Sequence, residues 1–155
     1  MNARTQFRPF AAGLLAFCAV ILVGCQSAKQ PGSYSHASVT VKGRSDAEIR
    51  QVTKAVFAEE GYSLVAEGAE YMGFQRPGSR RDALKWGGWP GEGVVIRAKV
   101  KITVLADASR LLQLDMFAVR DAGDGIFESE SRMVLLNKKP YRQLMNEVSK
   151  RLQAQ

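Results

Sequence analysis

Apolar and polar residues alternate along residues 94–105, and this is the clearest strand pattern in the chain. One side of the pattern is apolar and consists of Ile96, Val100, Ile102 and Val104. The other side is polar and consists of Arg97, Lys99, Lys101 and Thr103. Because successive side chains of a strand point to opposite faces of a sheet, the pattern predicts one buried face and one solvated face.

Further strands are predicted on both sides of this segment. The turn-forming residues 106–109 and 121–125 lead into strands over 111–120 and 126–135, which complete an antiparallel meander. Earlier in the chain, residues 38–42 alternate in the same way. Residues 62–65 and 71–75 predict two short strands around Gly68, although 62–65 also fits an extended exit from a helix.

Two segments follow the period of an amphipathic helix. The first begins at a capping box formed by Ser45 and Glu48 and ends at Gly61, which accepts a left-handed conformation. Its apolar stripe is Ile49, Val52, Val56 and Phe57. The second has Asn137 as its cap and Pro140 in its first turn. Its apolar stripe is Tyr141, Leu144, Met145, Val148 and Leu152.

These elements predict an α+β fold built as a two-layer sandwich. An antiparallel sheet of four to six strands forms one layer, and the two amphipathic helices pack on one of its faces because their stripes need a partner to bury them. We expect Ile102 to lie opposite Leu114, which also places Lys101 opposite Asp115. The same reasoning places Asp115 opposite Glu130. Such a carboxylate pair fits either an acid–base site or a solvated ladder of charges.

The N-terminal segment has the parts of an export signal. Arg4 and Arg8 precede an apolar stretch over residues 10–23, which is shorter than the roughly 20 apolar residues of a spanning helix. The stretch ends in Leu22-Val23-Gly24-Cys25. This ending resembles the lipobox of bacterial lipoproteins. The resemblance implies that residues 1–24 are removed and that Cys25 carries a diacylglyceryl group on its thiol and an acyl chain on its amino terminus.

The resemblance also implies where the protein resides. Acyl chains would anchor it in a membrane without spanning it. Among such lipoproteins the residue after the cysteine often decides sorting, and Gln26 in place of an aspartate points to the outer membrane, facing the periplasm, if the source has two membranes. Two alternatives stay open: an uncleaved anchor helix, and a plain secretory signal with an incidental cysteine.

Composition divides the remaining chain into a tether and one domain. Residues 25–37 are rich in Ser, Gly and Pro and predict a flexible tether, whereas 38–155 predict a single α+β domain. His36, the only histidine, falls at the edge of the tether without an evident partner, so no catalytic or metal-binding role is expected. Cys18 lies in the signal and Cys25 carries lipid, which leaves no thiol for a disulfide or a metal.

The charge balance is moderately basic. The whole chain has a net charge of +7, and loss of Arg4 and Arg8 leaves 20 basic and 15 acidic residues, a net charge of +5. This balance favours anionic headgroups or glycans, and outside the cytoplasm we expect no nucleic-acid partner. The glycine-rich stretch after Trp86 lacks the ending of a phosphate loop and no metal-ligand spacing occurs, so neither a cofactor nor a metal is expected.

The segment over residues 76–93 is the main candidate for binding and is predicted as a long loop. Long loops in compact domains are often functional. Its candidate residues are Arg76, Arg80, Arg81, Lys85, Trp86 and Trp89. The aromatic rings suit a sugar face or a headgroup region and the cations suit phosphate or carboxylate. The alternative is structural: a tryptophan closes the edge of the core and the basic residues are merely solvated.

These features together predict a lipid-anchored envelope protein whose domain is a binding or structural accessory module and not an enzyme. Peptidoglycan, lipopolysaccharide and an acidic protein surface all fit as partners of the basic loop. The competing hypothesis is a hydrolase-type envelope enzyme that uses Asp115 and Glu130.

Overall fold

The computed structural model describes residues 34–87, 93–134 and 138–154, and these form six strands and three helices. The strands are β1 (Ala37–Val41), β2 (Ser63–Glu67), β3 (Tyr71–Pro77), β4 (Val94–Val104), β5 (Arg110–Arg120) and β6 (Ser129–Arg132). The helices are α1 (Asp46–Glu59), α2 (Arg80–Trp86) and α3 (Lys139–Ala154). The order along the chain is β1-α1-β2-β3-α2-β4-β5-β6-α3.

The strands form one antiparallel sheet in which β5 has three neighbours. The order β2-β3-β4-β5 runs across the sheet, and β1 and β6 share the remaining edge of β5. β1 pairs with the first half of β5, from Val41 opposite Arg110 to Ala37 opposite Leu114. β6 pairs with the second half, where Phe117 lies opposite Arg132. The edge of β5 therefore passes from one partner strand to another near Asp115.

The buried face of the sheet and two of the helices form one hydrophobic core. The strands contribute alternate residues, which include Met72, Phe74, Ile96, Val100, Leu112, Leu114 and Met116. Helices α1 and α3 contribute the predicted stripes, which include Ile49, Val56, Phe57, Met145, Val148 and Leu152. This arrangement confirms the predicted α+β fold with an antiparallel sheet.

The ends of α1 follow the predicted signals. The Ser45 amide donates to Glu48 Oε2 at 2.8 Å, and the Glu48 amide donates to Ser45 Oγ at 3.3 Å, so the capping box is present. Gly61 takes a φ of +79° just after the helix, in the left-handed region where glycine has no steric penalty. The strands predicted at 62–65 and 71–75 are also confirmed, as β2 and β3.

The predicted pairing of β4 with β5 is wrong by two residues. Ile102 lies opposite Leu112 instead of Leu114, and Asp115 lies opposite Lys99 instead of Lys101. The connecting turn is short, because the Leu105 amide donates to Ser109 O at 2.8 Å. Ala108 accepts the left-handed conformation there, with a φ of 59°. A slip of two residues keeps every side chain on its predicted face, which is why the hydrophobic pattern alone did not detect it.

The last strand is shorter than predicted and is displaced by four residues. β6 covers only Ser129–Arg132, and Glu130 lies opposite Val119 instead of Asp115. The first part of the predicted strand, Ile126 and Phe127, belongs to a loop in which Asp124 Oδ1 accepts hydrogen bonds from both amides at 3.0 and 3.2 Å. An aspartate that satisfies backbone amides in this way stabilises a turn against a strand.

A short helix replaces part of the predicted loop over residues 76–93. Ser79 caps α2, because its Oγ accepts from the Asp82 amide at 3.2 Å while Asp82 Oδ2 accepts from the Ser79 amide at 2.8 Å. The capping box was overlooked in the sequence because the neighbouring glycines and arginines suggested an irregular segment. The predicted cap Asn137 of α3 lies outside the described residues, and the helix begins at Lys139 with Pro140 in its first turn.

Candidate binding surface

Helix α2 collects three of the predicted binding residues on one exposed side. At 100° per residue, positions 80, 81, 84 and 85 fall within about 140° of the helix circumference. Arg80, Arg81, Leu84 and Lys85 are exposed, and Leu84 has 82% of its surface accessible. Asp82, Ala83 and Trp86 are partly buried on the opposite side. The exposed side of α2 is therefore a leucine surrounded by cations.

These cations have no ion-pair partner in the described part of the chain, unlike several other basic residues of the domain. Arg97 and Lys99 pair with Glu130 at 2.8 and 2.5 Å, and Arg151 pairs with Glu147 at 2.8 Å. By contrast, no carboxylate in residues 34–87, 93–134 or 138–154 forms a salt bridge with Arg80, Arg81 or Lys85. Within the described residues the positive charge of α2 is thus exposed and has no carboxylate partner, as a surface for an anionic partner requires.

Trp86 lies on the inner side of α2 and packs against the hydrophobic core. Its indole Nε1 is buried without a hydrogen-bond partner, and Lys85 Nζ lies 4.9 Å from the centre of the ring. This placement favours the structural alternative for Trp86, in which the ring closes the edge of the core. The second predicted tryptophan, Trp89, lies in residues 88–92, outside the described residues.

Arg76 does not join the other predicted cations. It lies on β3, and its guanidinium sits over the ring of Tyr62, 5.2 Å from the ring centre. Both residues line a groove of about 720 Å³ with Tyr141 and Glu147 of α3, and no residue of α2 lines it. Burial raises the pKa of the Tyr62 hydroxyl, and the neighbouring Arg76 opposes that shift. The predicted binding loop is therefore divided between this groove and the exposed side of α2.

Sequence reasoning missed two exposed apolar residues outside α2. Ile126 and Phe127 have 86% and 68% of their surface accessible in the loop between β5 and β6. They were predicted as the start of a strand, where one of them would have been buried. The signal that identifies the loop is Asp124, whose short side chain can bond to the amides two and three residues ahead.

The two carboxylates of the competing enzyme hypothesis do not form a pair. Each accepts hydrogen bonds from cations instead: Glu130 from Arg97, and Asp115 from Arg132. Glu128 joins the cluster, and its hydrogen bond from Arg97 holds the pKa of Glu128 below its usual range. The outer face of the sheet thus carries a network of opposite charges, which corresponds to the predicted ladder and not to two adjacent acids.

His36 belongs to the folded domain, which corrects its placement in the tether. Its ring is buried, with 5% of the residue exposed, at the point where β5 passes from β1 to β6. The Met116 amide donates to Nδ1 at 3.1 Å, and Nε2 donates to Met133 O at 2.7 Å. The Met133 amide donates directly to Met116 O at 2.9 Å, and the imidazole bridges the other two groups of this pair, the Met116 amide and Met133 O. Sequence reasoning missed this contact because about 80 or more residues separate His36 from each partner.

No group of three or more His, Cys, Asp or Glu side chains suited to holding a metal ion occurs in residues 34–87, 93–134 and 138–154. Within the same ranges, every helix is too short or too polar to cross a bilayer. The chain matches no protein-family model, and no curated protein or solved structure is significantly similar to it. The surfaces described above are therefore the basis for any functional assignment.

Proposed function

We propose that this protein is a lipid-anchored component of the bacterial cell envelope whose α+β domain acts as a binding module. The lipobox-like Leu22-Val23-Gly24-Cys25 supports the anchor, and those residues lie outside the described part of the chain. The anchor keeps the domain at a membrane surface, and the domain presents a binding surface to an anionic component of the envelope.

The exposed side of α2 carries this proposal. It places Arg80, Arg81 and Lys85 together without a carboxylate partner in the described residues, while Trp86 secures the helix to the core. Arginine binds phosphate and carboxylate through paired N–H groups, so such a surface suits an anionic glycan, lipid or protein. A helix this short is stable only through its cap and its packing, which is what Ser79 and Trp86 supply.

The anchor is tested by replacing its thiol. Cys25→Ser should abolish metabolic labelling with palmitate and move the protein from the membrane fraction to the soluble exported fraction. Cys18→Ser is the matched control and should keep both properties, because Cys18 precedes the processing point. Retention of labelling and membrane association in the Cys25→Ser protein would contradict lipid anchorage and return the segment to an uncleaved anchor helix.

The binding surface is tested by reversing its charge. The combined variant Arg80→Glu, Arg81→Glu and Lys85→Glu should lose co-purification with anionic envelope material after mild crosslinking. A control with the same change of charge replaces Lys101, Arg142 and Lys150, which are also exposed, by Glu. If both variants lose the material equally, overall charge and not α2 governs binding. If neither loses it, α2 is not the binding surface.

A further inference from the structure

The exposed apolar residues of α2 and of the loop before β6 lie at the same end of the sheet. Pro77, which precedes α2, is opposite Val95 at the start of β4, and the neighbouring Val94 is opposite Arg120 at the end of β5. The loop that carries Ile126 and Phe127 follows Arg120 directly. Three large apolar side chains, Leu84, Ile126 and Phe127, therefore protrude from one end of the domain with 68–86% of their surface exposed.

Hydrogen bonds within the loop hold its apolar side chains in this exposed position. Asp124 Oδ1 accepts from the amides of Ile126 and Phe127, and the Glu128 amide donates to Asp124 O at 2.8 Å. The Gly123 amide donates to Glu128 Oε2 at 3.0 Å, and Arg97 binds the other oxygen of that carboxylate. Glu128 is thereby held on the outer face of the sheet, while the neighbouring Ile126 and Phe127 are exposed side by side. An exposed apolar patch of this kind marks a candidate interaction site.

The cations of α2 favour an anionic occupant. Arg80, Arg81 and Lys85 surround Leu84, whereas Asp82 directs its carboxylate to the Ser79 amide. In the loop, Glu128 is paired with Arg97, whereas Asp121 and Asp124 have no basic partner in the described residues, so the loop itself is acidic and the cations of α2 supply the attraction to an anionic occupant. Protruding apolar groups beside outward-facing cations are the arrangement by which peripheral proteins enter the headgroup region of an anionic bilayer.

We propose that this end of the domain docks on an anionic bilayer surface, with Leu84, Ile126 and Phe127 in the interface and Arg80, Arg81 and Lys85 on the headgroup phosphates. The proposal rests on the lipid anchorage proposed above and names the partner of the same basic surface. Eight residues lie between Cys25 and Tyr34, the first described residue, so the nine steps of chain that join the two span at most about 32 Å. A tether of that length keeps the docking surface close to the anchoring leaflet, where even weak contacts are occupied.

The test uses the complete lipidated protein in vesicles and a fluorescent probe beside the loop. Gly125→Cys accepts an environment-sensitive dye without loss of Ile126 or Phe127, because a side chain at Gly125 meets nothing within 4 Å. Val104→Cys is the matched control, since Val104 is 60% exposed at the opposite end of β4. The vesicles contain phosphatidylglycerol and a spin-labelled lipid that quenches dyes in the interface, and flotation reports whether the protein is anchored.

The expected result is a blue-shifted and quenched dye at position 125 and a solvent-like dye at position 104. The signal at position 125 should be lost with Ile126→Ser and Phe127→Ser, with Arg80, Arg81 and Lys85 changed to Gln, or in phosphatidylcholine vesicles. It should also weaken as salt rises from 0.01 to 1 M, because the screening length falls from about 30 to 3 Å.

Three failures are distinguishable. A protein that floats with the vesicles but has a solvent-like dye at position 125 is anchored and not docked, which overturns this inference alone. A protein that does not float lacks the anchor, which overturns the proposed function itself. A blue shift without quenching by the spin-labelled lipid would identify a protein contact in place of the bilayer and would also overturn the inference.

Discussion

Replacing His36 tests whether one buried imidazole joins two strands of the sheet. His36→Phe keeps a ring of similar size and its edge contact with Tyr141, whose ring centre lies 6.5 Å away. The substitution removes the acceptor for the Met116 amide and the donor to Met133 O, and both hydrogen bonds are buried. The change also removes the contact of Nδ1 with Asp115 Oδ1 at 3.3 Å, so it tests the polar contacts of the imidazole while the packing of a ring is kept.

The expected loss follows from leaving two backbone groups without partners. A buried polar group that loses its partner costs about 1–3 kcal/mol, so His36→Phe should lower the free energy of unfolding by about 2–6 kcal/mol. At about 4 °C per kcal/mol for a domain of this size, the Tm should fall by about 8–24 °C. The contributions of the two hydrogen bonds can be measured separately. Asn offers an acceptor near the Nδ1 position for the Met116 amide, and Gln offers a donor near the Nε2 position for Met133 O. Each of these two variants should cost about half as much as Phe.

The assay is urea unfolding of the purified protein, accompanied by hydrogen exchange at the Met116 amide. Exchange at that amide should accelerate in His36→Phe and His36→Gln and stay slow in His36→Asn, which retains the acceptor. Tyr34→Phe, an exposed substitution two residues earlier, is the control and should change stability by less than about 0.5 kcal/mol. A His36→Phe protein within that same margin would refute the bridging role of the imidazole.

Three further predictions concern the caps, the core and the charge network. Ser45→Ala should lower the free energy of unfolding by about 1 kcal/mol in thermal denaturation, because the Glu48 amide loses its cap, and an unchanged Tm would contradict the capping box. Trp86→Ala should destabilise the domain by about 2 kcal/mol through lost packing, and stability equal to the parent would remove the structural interpretation of this residue. The hydrogen bond from Arg97 lowers the pKa of Glu128. The contact therefore stabilises the folded state fully at pH values above 4.5, the ordinary pKa of this group. This stabilisation is lost as the pH falls through the lower pKa of the folded state. Arg97→Gln should therefore make the decline of stability in acid shallower in urea titrations at several pH values, and an unaltered pH profile would exclude the contribution.

The elements that sequence reasoning predicted best are those whose signals are local. The capping box of Ser45 and Glu48 and the apolar stripe of α1 lie within a few turns of chain, and the structure reproduces both. The alternation along β4 is equally local and identifies its buried face correctly. Such patterns indicate which face of a helix or strand is buried, because the period of the apolar residues identifies that face without information on the element that packs against it.

Strand register was not predictable, because it depends on turn conformations that the residue types do not reveal. Ala108 and Asp121 both take positive φ values, of 59° and 51°, where glycine is the residue usually expected. These turns set the β4–β5 and β5–β6 registers, and the hydrophobic pattern accepts any slip of an even number of residues. The candidate carboxylate pair depended on the β5–β6 register and the lysine beside it on the β4–β5 register, so this part of the predicted site was the most exposed to the error.

The position of His36 also limits how far the proposed anchor can reach. Its ring bonds to β5 and to the residue after β6, and Arg132 donates to the Tyr34 carbonyl, so the chain belongs to the domain from Tyr34 onward. Only residues 25–33 then separate the proposed lipid from the fold, four fewer than the predicted tether. Four residues correspond to about 13 Å of extended chain. In the proposed anchored protein, a shorter connection would confine the domain to a thinner layer above the membrane and raise the local concentration of headgroups around α2, which would favour the docking proposed above.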